Sequence, residues 1–276
     1  LEKVKRTPAG ANMWSHINMG AFNGCEYGCR YCYASCRKLQ LKQINSKNKY
    51  IPTPRKMSSI LSELAPGKIK LIGKPATIMF PNTHDITENT IDYSIEVIKK
   101  IMERKAVAKI LLVTKPNLGC TRKVIDRLRD YQKNIEIRVT IGSKDQSILD
   151  FWEPGAPEYE ERIACLTYMT GAGFHTSVST IPMLDNNIEA VVRDVRNITS
   201  RDIWIGVIRH PEVRIKRNTD NDATYMDRMN ELLTEKDEDR IKELYAKYGK
   251  DKKIRWASDL RPLLGLEPLK ERGLDI

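Results

Sequence analysis

Cys25-Glu26-Tyr27-Gly28-Cys29-Arg30-Tyr31-Cys32-Tyr33 places three cysteines at C-x3-C-x2-C spacing on a glycine-containing loop. Three thiolates so spaced can converge on one soft metal centre, either zinc or an iron–sulfur cluster. A [4Fe–4S] cluster anchored by three cysteines keeps one iron without a protein ligand, and a catalyst holds such a vacancy for a substrate or cofactor. A structural zinc knuckle or an electron-transfer cluster closes its coordination with a fourth protein ligand. Cys36, four residues after Cys32, is the thiol able to do so. The metal ligands are read as Cys25, Cys29 and Cys32, with Cys36 either a fourth ligand or a spare thiol on the first turn of a helix.

Outward from this loop, 276 residues suffice for a full core, about one barrel-sized α/β domain. No segment near the start combines a basic stretch with an apolar run, and no apolar run approaches the roughly 18 residues of a spanning helix, so a cytoplasmic protein without a membrane partner is expected. Six cysteines, half of them clustered, do not form the pattern of a secreted disulfide framework. Free thiols and an iron–sulfur site imply a reducing, oxygen-poor setting.

The formal charge of +11 and pI near 9.3 favour an anionic partner, nucleic acid among them. Basic residues gather at Lys3, Lys5 and Arg6, at Arg37, Lys38, Lys42, Lys47 and Lys49, at Arg209, Arg214, Lys216 and Arg217, and at Lys247, Lys250, Lys252, Lys253 and Arg255. Tyr50, Tyr245, Tyr248 and Trp256 sit among them, as on a surface that contacts phosphates and stacks bases, although lysine-rich solvated faces are also common.

Strand-length apolar runs alternate with amphipathic stretches. Ala76 to Phe80 precedes a helix around Thr90 to Arg104, and Lys109 to Thr114 one from Thr121 to Tyr131. Ile135 to Ile141 precedes a helix near Glu158 to Thr170, Phe174 to Ile181 one near Asn187 to Asn197, and Ile203 to Ile208 leads to the charged C-terminal region. Val- and Ile-rich strands spaced by crossover helices make a parallel sheet covered on both faces. With Ser15 to Asn23 as the first strand, six βα units predict an α/β fold, a partial (β/α)6 barrel. The expected organisation is a core over 1–219 with the cluster loop at 24–36 and a basic insertion at 45–73, then a charged helical cap over 220–276. Reactive groups in such folds lie at the C-terminal ends of the strands. Cys25 to Cys32, Asn82 to Asp85, Thr114 and Lys115, Thr140, and Pro182 to Asp185 all fall there.

The cysteine run resembles the cluster motif of radical S-adenosylmethionine (radical SAM) enzymes, in which an aromatic residue commonly precedes the last cysteine, as Tyr31 does. Clusters of that family with this spacing use three cysteines, which makes Cys36 a spare thiol. Further words resemble the spore photoproduct lyase branch. Asn82-Thr83-His84-Asp85 is similar to its Cys-Thr-Ser-Asp, and Val113-Thr114-Lys115 to its Val-Thr-Lys. Val139-Thr140-Ile141 followed by Phe151-Trp152-Glu153-Pro154-Gly155 is similar to its Phe-Ser-Ile and Asn-Phe-Glu-Pro-Gly. Arg162 and Ala172-Gly173 keep step, and the resemblance runs from Cys25 to Ile181.

The resemblance implies a [4Fe–4S] cluster, SAM as cofactor, and Thr83, Lys115 and Thr140 as SAM contacts. An ammonium at Lys115 suits the SAM carboxylate, and the hydroxyls suit its polar groups. Glu153 is either a cofactor contact or a residue shaping the Glu-Pro-Gly turn. In the lyase proper the cysteine at the position of Asn82 returns a hydrogen atom to the substrate, and an amide has no weak S–H to give. Cys120 is the candidate replacement donor, or an inert thiol at a helix start. His84 is a candidate acid, base or hydrogen-bond donor, or a filler of space. Asp85 reads as a helix cap, Tyr33 as a wall of the substrate cavity, and Cys165 as core.

By the same resemblance a reduced cluster cleaves SAM to methionine and a 5′-deoxyadenosyl radical, which abstracts hydrogen from a nucleic acid, a peptide or a small metabolite. The electron comes from an external donor of flavodoxin or ferredoxin type. The rival readings are a zinc-knuckle nucleic-acid-binding protein and a ferredoxin-like carrier with Cys36 as fourth ligand.

Overall fold

The computed structural model describes residues 8–65, 75–232 and 237–273. The basic group at Lys3, Lys5 and Arg6 and part of the basic insertion lie outside them. In chain order the elements are β1 (Ile17–Asn18), β2 (Phe22–Asn23), α1 (Tyr33–Gln40), β3 (Thr53–Pro54), α2 (Met57–Ser62), β4 (Ala76–Phe80), α3 (Ile91–Met102), β5 (Val107–Thr114) and α4 (Leu118–Leu128). They continue with β6 (Ile135–Thr140), α5 (Gln146–Trp152), α6 (Tyr159–Gly171), β7 (His175–Thr180), α7 (Ile188–Val195), β8 (Ile203–Ile205), α8 (Pro211–Asn218), α9 (Ala223–Met229), α10 (Glu238–Tyr248) and β9 (Ile254–Trp256).

Seven strands pair in the order β1-β4-β5-β6-β7-β8-β9, every pair parallel, and curl into a half-barrel with helices outside. The period of two along each strand sorts side chains to two faces. Ile78, Phe80, Ile110, Leu112, Ile135, Ile137, Val139, Val178, Ile203 and Ile205 share the larger core with the helices. Met79, Leu111 and Trp204 alternate with them and pack on the inner face with Met13, Trp14 and Ala257. There the fully buried Arg138 lies between two indoles, its guanidinium carbon 4.6 Å from the Trp14 ring and 5.4 Å from the Trp204 ring. Its charge is met by Glu136 at 2.9 Å, and it donates to Ser177 Oγ at 2.9 Å.

The structure departs from the sequence reading in two places. The stretch from Ser15 to Asn23 is not one strand: β1 joins the sheet beside β4, whereas β2 leaves it to pair antiparallel with β3. The break falls at Gly20, where a Cβ would stand 2.8 Å from Asn82 Oδ1, so a side chain there would have to displace the Asn82 amide. The C-terminal region also contributes more than helices, because β9 adds a seventh strand beside β8.

Candidate active site

The cysteine loop runs from β2 to α1 above the C-terminal ends of the strands. Gly24 starts it at φ +97, and a Cβ there would sit 1.9 Å from the Ile51 carbonyl oxygen. Main-chain bonds hold it from several sides: Cys25 N–H donates to Tyr50 O at 3.0 Å, Arg30 N–H to Trp152 O at 2.9 Å, and Gly155 N–H to Tyr27 O at 3.0 Å. The Tyr27 hydroxyl reaches Lys115 O at 3.0 Å, and Lys47 Nζ donates to Gly28 O. From α8, the Asn218 amide donates to Arg30 O at 3.1 Å and Cys32 O at 2.9 Å, while Ser35 Oγ donates to its Oδ1 at 2.6 Å. The loop conformation is thereby fixed by the fold itself.

All six cysteines are free thiols. Burial pushes Cys29 up to about 11, with Lys115 opposing, and burial raises Cys25 further. Cys25 also feels Cys29 and Cys32 as like charges, and Cys29 feels Cys32. Buried thiols of this kind ionise when a metal takes the electron pair. Among the described residues no three His, Cys, Asp or Glu side chains are gathered tightly enough for a single metal ion. Three thiols on one loop flanked by Lys47 and Lys115 are a donor set that suits a polynuclear iron–sulfur cluster, which spreads its anchors over several metal atoms. Cys36 is directed elsewhere: its Sγ lies 3.8 Å from Val213 O, between α1 and α8.

Beneath the loop, Asp85 gathers the strand ends. Its Oδ1 accepts from Thr114 Oγ1 at 2.5 Å, Ile86 N–H at 2.8 Å and Lys115 N–H at 3.1 Å. Lys115 Nζ stands 3.7 Å from Asp85 Oδ2. Burial opposes the charge of Lys115, but Cys29, Glu153 and Asp85 outweigh it and raise its pKa, so the ammonium is held charged beside the cysteines. Burial raises Asp85 despite Lys115. Thr140 ends β6 on the inner face in register with Ser179 of β7, whose buried hydroxyl has no partner among the described residues. Thr83 Oγ1 donates to Phe22 O at 2.9 Å, and Tyr50 donates to Thr83 O at 2.6 Å. Tyr33, half exposed, reaches Asn82 O with its hydroxyl and stands 6.0 Å from the Arg214 guanidinium.

Three of the candidate residues are already engaged by the protein, which fits the structural one of the two readings given for each. The Glu153 carboxylate accepts from the Tyr31 hydroxyl and pairs with Arg162 at 2.6 Å, both charged side chains being fully buried. Arg162 in turn donates to Pro157 O at 2.7 Å and Thr140 O at 3.2 Å, so this chain of contacts braces the cysteine loop against β6. His84 is held at both ring nitrogens: Nε2 accepts from Ala21 N–H at 3.0 Å, and Nδ1 lies 2.8 Å from Asp85 O. Burial pushes it down to about 4, so it is a neutral structural imidazole between Phe22 and Phe80 rather than an acid or base. Cys120 is buried in the layer between sheet and helices, around a small apolar cavity lined by Leu112, Val124, Ile137 and Met169, on the far side of β5 from Lys115. This buried position fits the reading of Cys120 as an inert thiol at a helix start. Cys165 is core, as expected.

Reading the sequence alone gives Asn218 no role and Lys47 only a place in a basic group, and although Tyr31, Glu153 and Arg162 each stand out by their place in the family pattern, that pattern does not join them into one buried chain.

The family model described as the radical SAM superfamily matches residues 19–198, well over half of the chain. A comparison with curated proteins finds no match. Among solved structures, a spore photoproduct lyase mutant with bound AdoMet and dinucleoside spore photoproduct is similar at a TM-score of 0.57 and 16% identity, over 87% of this chain and 75% of that one. A spore photoproduct lyase mutant with dinucleoside spore photoproduct gives 0.52 at 16% identity, over 72% of this chain and 59% of its own length. Streptococcus suis SuiB bound to S-adenosylmethionine gives 0.55 at 11% identity, over 89% of this chain and 50% of that one. The chain thus spans between a half and three fifths of the length of the latter two, and at these identities the likeness is one of fold. Among the described residues no helix is long and apolar enough to cross a membrane.

Proposed function

As the chain belongs to the radical SAM superfamily, whose members use SAM and an iron–sulfur cluster, we propose that Cys25, Cys29 and Cys32 hold a [4Fe–4S] cluster and that the enzyme cleaves SAM reductively to abstract hydrogen from an anionic substrate at the barrel mouth. The bound cluster supplies the electron and an open iron for SAM. The observation that carries this reading is the charged Lys115 ammonium beneath the cysteine loop, between Cys29 and Asp85. It offers a cation to the SAM carboxylate, while Thr140 and Ser179 present two hydroxyls from neighbouring strands on the same face. Thr83 shapes the site, its hydroxyl being spent on Phe22 O. Tyr33 and Asn82 wall the mouth next to Cys32, and an amide at Asn82 points away from the lyase reaction that needs a thiol there. Protein groups act by positioning and by excluding solvent and stray hydrogen donors.

The anionic substrate is supported by Arg214 of α8, a half-buried guanidinium 6.0 Å from the Tyr33 ring. Nucleic acid is the substrate class these features favour. Two measurements test the reading. Anaerobic reconstitution with iron and sulfide, then dithionite and SAM, should yield 5′-deoxyadenosine, and Cys29→Ala should abolish both the brown colour and the product. A colourless zinc protein without product refutes it. Duplex DNA binding should fall with salt at a log–log slope of about −0.9 per neutralised phosphate, and a flat response removes nucleic acid.

A further inference from the structure

Between Glu26 and Glu63 the chain carries eight Lys or Arg and no Asp or Glu. This stretch wraps the cysteine loop from outside: Tyr50 O accepts from Cys25 N–H at 3.0 Å, and Lys47 reaches Gly28 O. Its exposed surface comprises Arg37, Lys42 and Lys49, with two large aliphatic side chains among them, Leu41 at 53% and Ile51 at 62% exposure. None of these three cations is paired with a carboxylate among the described residues. Cys36, on α1, feels Arg214 and Arg217 of α8, which extends the positive face over the next helix.

We propose that this face, formed by the exposed side of α1 and the 47–51 turn, is the docking site of a small acidic one-electron carrier protein that reduces the cluster. The proposal rests on the function proposed above. In the encounter the carrier is oxidised by one electron and the cluster is reduced by one. Complementary charge brings the partners together quickly, and a small mixed patch lets them part again, which suits a transient redox contact. One feature favours a protein over nucleic acid at this face: the exposed aliphatic side chains of Leu41 and Ile51 offer contact to a protein surface, whereas the aromatic rings nearby are tied to the mouth through their hydroxyls. Tyr50 is buried with its hydroxyl on Thr83 O, and the Tyr33 hydroxyl is engaged at Asn82 over the mouth.

The test compares two electron sources on the reconstituted enzyme, reduced flavodoxin as the acidic carrier and dithionite as a small reductant. Arg37→Glu/Lys49→Glu should lower 5′-deoxyadenosine formation at limiting flavodoxin by about tenfold or more. Leu41→Ser/Ile51→Ser should lower it without changing the salt dependence. The dithionite-driven rate should stay at the wild-type value in both variants. Unchanged flavodoxin rates overturn the proposal, as does a parallel fall in both rates, which marks a disturbed cysteine loop. Loss of affinity for a duplex DNA probe with flavodoxin rates intact also overturns it and assigns the face to nucleic acid. A wild-type enzyme inactive with dithionite refutes the proposed function itself.

Discussion

Replacing Glu153 by Gln removes one charge from a pair whose side chains are both fully buried at 2.6 Å. Arg162 would keep only the Pro157 and Thr140 carbonyls, at 2.7 and 3.2 Å, as acceptors for a full positive charge out of water. Breaking a buried pair from one side costs about 3–5 kcal/mol, a large part of a typical total stability of about 5–15 kcal/mol. Arg162→Met should cost a similar amount, because the carboxylate would retain only the Tyr31 hydroxyl. The double variant Glu153→Gln/Arg162→Met buries no charge, so it should recover part of the loss, with a coupling energy of up to about 3 kcal/mol. Urea unfolding of the four proteins in the iron-free state measures this cycle at constant m-value. Because Tyr31 lies between Cys29 and Cys32, iron retained after reconstitution should fall in both single variants and return in part in the double. Single-variant costs that add to within about 0.5 kcal/mol would show that the pair does not act as a unit and would refute the bracing argument.

The remaining expectations follow from the structural roles. His84 has a folded pKa lowered by burial from 6.5 to about 4, so the unfolded chain takes up the proton first. Stability should therefore decline as pH falls through that window, by up to about 3 kcal/mol at pH 4 from this group, and His84→Phe should flatten the profile measured by urea at pH 7 and pH 4.5. Cys120→Ala should leave both 5′-deoxyadenosine formation and the mixture of substrate-derived products as in the wild type; a shift toward products of an unquenched substrate radical, without unfolding, would return Cys120 to the mouth as hydrogen donor. Cys36→Ser should retain the full iron content, since its thiol faces Val213, and loss of a cluster spectrum would make it a ligand.

What the sequence discloses and what it hides divide along physical lines. The βα alternation is legible because a parallel strand covered on both faces is rich in apolar residues, as in the wholly buried β4, whereas in the equally buried β6 the apolar residues alternate with Glu136, Arg138 and Thr140. The cysteine loop is legible because its ligands are neighbours in the chain. Asn218 is not, because it reaches the Cys32 carbonyl across 186 residues and is one polar residue at the end of a charged helix. Cys120 shows the limit of positional reasoning. It follows β5 at the correct end of the sheet, but α4 presents it to the helix layer while Lys115, at the end of the same strand, turns inward. The seventh strand is three residues long in a charged stretch, and only pairing with β8 makes Ile254–Trp256 a strand. The break at Gly20 likewise depends on a side chain of another strand end, Asn82.

The same strands explain why the chemistry belongs at one end of the half-barrel. Low on the inner face the side chains are large: Trp14 and Trp204 flank Arg138, whose charge is met by Glu136 and which donates to Ser177 Oγ. One pleat higher they shrink. Arg138 gives way to Thr140 and Trp204 to Gly206, where a Cβ would stand 2.7 Å from that of Ala257, while Ser177 is followed by the equally small Ser179. Successive inward positions thus pass from a filled plug to short polar groups directly beneath the cysteine loop. A large apolar residue at Ser179 would carry the plug up into this layer. Ser179→Leu should therefore leave iron binding intact and weaken SAM binding by about tenfold, whereas Ser179→Ala, which removes only the hydroxyl, should weaken it by less, on the scale of one hydrogen bond at about 1 kcal/mol. Equilibrium dialysis of SAM against the reconstituted variants measures both. If Ser179→Leu binds SAM like the wild type, the cofactor does not occupy the layer under the loop and the inner face has been read wrongly.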